Sequence, residues 1–254
     1  MHSALFYLAA IPAVVIMGMS KSGFGGSLGI LAVPLLAAVI SPAAAAAILL
    51  PILILLDIIG LATCRGQARI DLRNLRILLP GAIVGIVFGT LTFRYTSDAV
   101  LRALIGLLAV GFVLQRLLRR GQVHERQQPN VLKGTVCGAL SGFASFIANA
   151  GGPPFLVYLV PQNLDKRVFA QTAILFFAVV NFVKILPYAW LGLFDAANLS
   201  TSLMLAPFAP VGFWLGREAL ARLDQVVFYR VVTFLVLLAG GNLLWSSRSL
   251  FIPA

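Results

Sequence analysis

Three charged residues stand in or beside apolar stretches of the sequence, where a charge is costly. Lys184 and Asp57 lie inside such stretches, and Lys21 directly follows another. A charged side chain at the centre of a bilayer-spanning helix costs about 2.5–3.5 kcal/mol to insert, so we expect it to be paired or functional. Both lysines therefore predict an anionic partner, which is either Asp57 or a bound anion.

Each of these charges also has a structural alternative. Either lysine could extend its ammonium group to the membrane interface. Asp57 could neutralise Lys184, or it could take up a proton and couple transport to a proton gradient. Asn181 lies one turn before Lys184 on the same helix face and is a further polar candidate. Tyr188 and Trp190, near the end of the same stretch, suit the aromatic belt of a membrane interface.

Two glycine-rich breaks accompany the charges, one at residues 21–26 and one at Ala150-Gly151-Gly152-Pro153-Pro154. Glycines let the backbone turn, and the helix N-termini that follow present positive dipole ends that bind anions. Asn149 adds a side-chain donor, with weaker candidates at Ser22, Ser27 and Ser145. Alternatively, the glycines only permit close helix packing. The candidate binding residues are Lys21, Ser22, Gly23, Gly25, Gly26, Ser27, Asn149, Gly151, Gly152, Asn181 and Lys184, with Asp57 as the coupling residue.

Other chemistries lack the residues that they need. His2 and His124 lie at the N-terminus and in a central loop, and no nucleophile, base and orienting group assemble around them. Cys64 and Cys137 have no metal-ligand spacing around them and fall at predicted inner ends, where thiols stay reduced. The glycines of the first break depart from the dinucleotide pattern at Leu28. We therefore expect no enzyme, no cofactor, no metal and no disulfide.

The elements that must position these residues are membrane helices. The sequence is 60% hydrophobic and 11% charged, whereas a soluble domain carries about 25% charged residues. Its apolar stretches approach the ~20 residues that span a bilayer, and lipid requires such segments to be helical. The stretches are residues 4–19, 43–63, 77–93, 99–114, 134–150, 168–191, 201–216 and 226–245. The fold class is therefore an all-α polytopic membrane protein with about eight spans.

The basic residues set the predicted orientation. A net charge of +11 would suggest nucleic acid in a soluble protein, but here the basic residues lie between the spans and form no such patch. Most lie in four loops that we assign to the cytoplasm, whereas the loops at 41–42 and 192–200 contain none and are assigned to the outside. Three arginines remain outside against this rule: Arg94, Arg102 and Arg248.

An internal repeat relates the two halves of the chain. Ser22-Gly23-Phe24 returns as Ser141-Gly142-Phe143. The other matches pair Asp57 with Asn181, Asp71 with Asp195, and Pro80, Gly85 and Gly89 with Pro207, Gly212 and Gly216. We predict a first repeat at 1–120, a cytoplasmic linker at 121–132 and a second, inverted repeat at 133–254. Each repeat would hold a broken helix or re-entrant hairpin followed by three spans, with a binding site where the two breaks meet. Coincidence in a glycine-rich apolar chain is the alternative.

The two break motifs, together with Asn181-Phe-Val-Lys184, resemble the sulfite exporter TauE/SafE family, also called the toluenesulfonate uptake permease family. The resemblance covers nearly the whole chain. It implies secondary transport of a sulfur-containing or related organic anion, such as sulfite, sulfoacetate, thiosulfate or an aryl sulfonate, across a bacterial inner membrane. Members of the family transport in either direction.

Motifs, topology and resemblance together predict an alternating-access transporter. Its partners would be a small anionic substrate and the lipid bilayer, with proton coupling through Asp57 as an open possibility and no nucleic acid. An anion channel and a non-transporting membrane scaffold are the two alternatives.

Overall fold

The computed structural model describes residues 4–22, 29–63, 70–118 and 127–222, together with six single positions between 234 and 247. Every element within these residues is helical, as the apolar stretches predict. The helices are α1 Ala4–Lys21, α2 Ala32–Ala37, α3 Pro42–Thr63, α4 Leu72–Tyr95, α5 Asp98–Leu118, α6 Val131–Ala148, α7 Gly152–Leu159, α8 Lys166–Trp190, α9 Ala196–Leu205 and α10 Phe208–Arg222. Short 3₁₀ turns precede α2 at Gly29–Leu31 and follow α7 at Val160–Gln162.

Five helices in this part of the chain are long and apolar enough to cross a membrane: α1, α3, α4, α6 and α8. The pair α9 and α10 makes a sixth if it counts as one span, with a bend of 42° between the two helices. The sequence predicted one unbroken span at 201–216. The structure instead breaks it before Pro207, because proline offers no backbone donor and disfavours helix in the residue before it. The predicted span at 226–245 lies mostly outside the described residues, and the total of about eight stays a prediction.

The first hairpin follows the predicted break. Helix α1 ends at Lys21, and α2 packs back against it before ending at Ala37. Arg102 of α5 donates hydrogen bonds to the carbonyl oxygens of Ala37 and Ile40, the latter at 3.1 Å. The last carbonyl groups of a helix have no donor within the helix, and the Arg102 guanidinium group donates to two carbonyls at this end. This contact accounts for one of the three arginines that the charge rule left outside.

The second hairpin has a shorter break than the sequence predicted. Helix α6 ends at Ala148, and its cap residue Asn149 has a φ of 50°, in the left-handed region that asparagine tolerates. Helix α7 already begins at Gly152 and contains Pro153 and Pro154 in its first turn. Proline fits there because the first-turn amides have no helical acceptor. Only Asn149, Ala150 and Gly151 therefore remain between the helices.

A side-chain amide pair anchors the far end of the second hairpin to α4. Asn74 donates to Gln162 Oε1 at 2.8 Å, and Gln162 donates back to Asn74 Oδ1 at 3.2 Å. Both residues are buried. Each hairpin is thus fixed at its wide end by a polar side chain from another helix, Arg102 in the first and Asn74 in the second.

Two helix pairs make unusually close backbone contacts, α4 with α6 and α1 with α10. A Cβ atom added at Gly85 of α4 would lie 2.0 Å from the Ala139 carbonyl oxygen of α6. One added at Gly212 of α10 would lie 2.3 Å from the Val15 carbonyl oxygen of α1. Small residues allow membrane helices to approach in this way. These two pairs hold the broken helices α1 and α6, while α3 and α8 pack together between them.

Candidate functional site

Asp57 joins two of the predicted site residues. It lies on α3 and is 3% exposed. Its Oδ1 forms an ion pair with the Lys21 ammonium group from α1, and its Oδ2 accepts a hydrogen bond of 2.6 Å from Asn181 Nδ2 on α8. The Lys21 side chain is only 9% exposed, so it does not reach for the membrane interface.

Lys184 has different partners from those we expected. The prediction was Asp57 or a bound anion, but the Lys184 ammonium group donates to the Ser145 carbonyl oxygen and Oγ, both at 3.1 Å, and to Asn149 Oδ1 at 2.7 Å. These acceptors lie at the C-terminal end of α6, where the helix dipole favours a positive charge. Asp57 does not bond to Lys184; its two oxygens accept from Lys21 and Asn181. The side chain of Lys184 is completely buried.

The bond from Lys184 determines how the Asn149 amide is oriented. A lysine ammonium group can only donate, so the Asn149 oxygen must face it. The Asn149 nitrogen then points away from Lys184 and has no hydrogen-bond partner among the described residues. Asn149 is only 8% exposed. A buried hydrogen-bond donor without a partner destabilises the protein, so the Asn149 nitrogen favours a ligand that accepts a hydrogen bond.

Asn149 lines an internal cavity of about 20 Å³ between the two hairpins and the central helices. This volume admits about one water molecule, so a larger ligand requires the walls to move apart. The wall contains one cation, several hydrogen-bonding groups and an apolar side. The lining residues are Met17, Ser20, Lys21, Gly29, Leu53, Ser145, Asn149, Gly152, Phe177 and Asn181.

Four of the predicted site residues line this cavity: Lys21, Asn149, Gly152 and Asn181. Asp57 and Lys184 lie behind it and bond to residues in its wall. Gly151 supports the second break, since its carbonyl oxygen accepts a bond of 2.6 Å from Ser141 Oγ.

Ser22 is not part of the cavity wall, because its hydroxyl donates to the Met19 carbonyl oxygen at 2.8 Å within its own helix. The remaining predicted residues, Gly23, Gly25, Gly26 and Ser27, lie outside the described residues.

Sequence reasoning missed several residues of the wall, among them Phe177 and Ser20. Phe177 lies one turn before Asn181 on α8, and the Lys21 ammonium group stands 5.2 Å from the centre of its ring. Helical spacing from Asn181 could have found it. Ser20, whose Oγ accepts a bond of 2.9 Å from the Gly29 amide, closes the first hairpin, but no pattern singled it out.

The two aromatic residues predicted for the membrane interface lie in different environments. The prediction was wrong for Tyr188, which is completely buried, packs edge-on against Phe146 and donates its hydroxyl to the Phe146 carbonyl oxygen at 2.9 Å. Trp190 is 58% exposed. The Arg94 guanidinium group lies 4.3 Å from its ring centre, which is a cation–π contact. This contact gives a second of the three outer arginines a structural role, while Arg248 lies outside the described residues.

The family model of the sulfite exporter TauE/SafE family matches residues 10–243. The chain belongs to this family. The match covers nearly the whole chain, and with the apolar helices it makes this TauE/SafE protein a multi-pass membrane protein of a transporter family. No curated protein and no solved structure matches the chain. The described residues contain no cluster of His, Cys, Asp and Glu that could hold a metal ion.

Proposed function

We propose that this TauE/SafE protein is a secondary transporter, and not an enzyme, for a small sulfur-containing or organic anion. Sulfite and sulfonates such as sulfoacetate or toluenesulfonate are the substrates that we propose. The protein would act in the bacterial inner membrane by alternating access.

The Asn149 amide nitrogen, which has no partner among the described residues and lies at the wall of the cavity beside Lys21, is the observation that carries this proposal. An amide donor and an ammonium group together favour a ligand that only accepts hydrogen bonds and is negatively charged. Sulfite and sulfonate groups meet both requirements. Phe177 and Leu53, on the apolar part of the wall, suit the carbon body of a sulfonate.

Packing around the site supports inverted repeats. If the halves are related by a pseudo-twofold axis, α1 corresponds to α6 and α4 to the pair α9 and α10. The two closest helix pairs, α1 with α10 and α6 with α4, exchange under that operation.

The helix caps support the same relation. Asp71 accepts hydrogen bonds from the Asn74 amide and side chain, at 3.0 and 2.8 Å, at the start of α4. Asp195 accepts the same bonds from Asn198 at the start of α9, at 2.6 and 3.1 Å. Inverted repeats with their breaks at the centre are the architecture of many alternating-access transporters.

Proton coupling through Asp57 completes the proposal. This carboxylate is buried and bonds to two residues of the cavity wall, Lys21 and Asn181. A substrate anion that draws Lys21 away would leave the carboxylate without its cation, and protonation would then relieve the buried charge.

Asn149→Asp tests the anion site. The carboxylate keeps the oxygen that accepts from Lys184 and tolerates the left-handed backbone, but it replaces the donor at the cavity by a second oxygen. We expect the affinity for sulfite or a sulfonate to fall by about a hundredfold or more, because like charges in one buried site cost several kcal/mol. The shift in thermal unfolding temperature with anion concentration gives the affinity.

Asn163→Asp is the matched control, since Asn163 shares the positive φ, at 47°, but lies exposed outside the site. It should bind like the parent. Equal affinity in both variants would exclude the proposed site. In proteoliposomes, saturable gradient-driven accumulation supports a transporter, whereas passive conductance alone would identify a channel. Failure of every anion to raise the unfolding temperature would favour a scaffold.

A further inference from the structure

The buried charges at the site do not sum to zero. Lys21 and Lys184 each supply a positive charge, and Asp57 supplies a negative one. Lys184 donates to three acceptors, as an ammonium group does, and one of them, Asn149, lines the same cavity as Lys21, so the three charged groups surround one site. Residues 23–28, in the first break, contain no ionisable side chain. Among the charged groups that the structure describes at the site, one positive charge is therefore left uncompensated.

Other ionisable groups on the helices packed against α3 lie away from Asp57 in the part of the chain that the structure describes. Helices α2 and α9 contain none. Arg102 of α5 is engaged at the end of α2, and Asp98 is exposed at the start of α5. Arg217 and Glu218 of α10 are exposed. Arg167 is exposed at the start of α8, Tyr188 of α8 bonds to Phe146, and Tyr7 lies about four turns from Lys21 on α1.

An uncompensated charge is expensive in a water-poor site, so the occupied state is most stable when its total charge is zero. A monovalent anion neutralises the site by itself. A divalent anion leaves one negative charge in excess, and one proton on the carboxylate removes it.

We propose that charge balance at this site sets the number of protons bound with the substrate, an inference that rests on the proposed anion transport. A monovalent anion binds with no proton, and a divalent anion binds together with one proton, which Asp57 takes up. The site therefore accepts both classes of anion, but it couples only the divalent class to the proton gradient.

The geometry assigns the proton to one oxygen. Oδ2 of Asp57 is held by Asn181, and Oδ1 is held by Lys21, which also lines the cavity. When the Lys21 ammonium group turns to a bound anion, Oδ1 loses its cation while Oδ2 keeps its donor. A proton from water then bonds to Oδ1, and it returns to water when the anion leaves and Lys21 pairs with Oδ1 again.

Sulfate and methanesulfonate test this rule, because they share a tetrahedral sulfur head but carry two charges and one charge at neutral pH. Titration calorimetry in two buffers of different ionisation enthalpy measures the protons taken up on binding. We expect the parent protein to take up about one proton with sulfate and none with methanesulfonate, because only the dianion leaves the site negatively charged.

Asp57→Asn should shift the relative affinity of the site from methanesulfonate toward sulfate. Without the carboxylate the site holds two positive charges, so sulfate should gain on methanesulfonate by about tenfold or more in relative affinity, with no proton uptake for either. Asp98→Asn removes an exposed carboxylate and should leave the parent behaviour unchanged.

Sulfate binding to the parent without proton uptake would overturn the rule while leaving the anion site intact, and this measurement needs no variant. An unchanged affinity ratio in Asp57→Asn would also overturn it, including the case in which the parent binds only methanesulfonate and the variant still rejects sulfate. If neither anion binds either protein, the proposed anion transport fails as well.

Discussion

Lys184 and Asn149 act together: the lysine orients the asparagine amide, and the asparagine side chain lines the cavity. The lysine uses all three ammonium protons on Ser145 and Asn149, so none is left for a ligand. Lys21 differs, because its one carboxylate partner can be exchanged and the residue lines the cavity. In the site that we propose, Lys21 is therefore the lysine that would contact the anion, and Lys184 would position Asn149.

Lys184→Met should weaken anion binding without abolishing it. Methionine fills a similar volume, but the Asn149 amide loses the donor that orients it and can turn its oxygen to the cavity. We expect the anion affinity to fall by about tenfold, with a destabilisation of about 1–3 kcal/mol for the acceptors left unpaired. Anion-dependent thermal shifts measure both. An affinity equal to that of the parent would show that Lys184 does not position Asn149.

At the scale of elements, the close pairing of α4 and α6 supports the tip of the second hairpin. Asn149 directly follows α6, so the position of this helix across α4 sets the depth of the cavity wall. Backbone contact at glycines such as Gly85 makes that position definite, because at these points no side chain lies between the two helices that could change rotamer to absorb a shift. Repacking this pair should therefore alter the site from a distance.

Gly85→Ala tests that support. The added methyl group would lie 2.0 Å from the Ala139 carbonyl oxygen, so α4 and α6 must separate. Overpacking of this kind costs about 1–3 kcal/mol, and we expect a lower unfolding temperature together with weaker anion binding. Gly111→Ala is the matched control: its added Cβ would meet nothing within 4 Å among the described residues. It should be neutral or slightly stabilising, since alanine favours helix. Equal stability of the two variants would contradict the packing argument.

At the scale of the whole molecule, two of the three arginines that violated the charge rule have partners. Arg102 caps α2, and Arg94 stacks on Trp190. Their positions follow from local contacts, so they do not weaken the orientation inferred from the other basic residues. The predicted topology therefore keeps residues 127–130 on the inside and the start of α9 on the outside.

Single cysteines test this orientation in intact cells. In a Cys64→Ser background, Ser200→Cys should react with a membrane-impermeant maleimide, whereas Gln127→Cys should react only after permeabilisation. Both positions are exposed, and the native Cys137 is buried. Ser200 follows a loop without basic residues, and Gln127 lies in a basic loop, shortly before Lys133. Labelling of Gln127→Cys from outside would show that the orientation is inverted.

The sequence by itself determined the helices, the two breaks and the positive character of the site. Lipid leaves helix as the conformation for long apolar segments, glycine and proline interrupt it, and charges in apolar surroundings are rare enough to mark a site. These properties are enough to select Lys21, Asp57, Asn149, Asn181 and Lys184 from the amino-acid sequence.

Only the tertiary structure decided which of these residues touch. Asp57 pairs with Lys21 and not with Lys184, and Tyr188 faces the core and not the interface. Periodicity shows which residues share a face of one helix. Which face of a neighbouring helix lies against them depends on how the helices rotate and cross, and packing between distant segments determines this. The same packing made Lys184 hold the Asn149 oxygen, and this contact turned the amide nitrogen into the donor that an anion would meet.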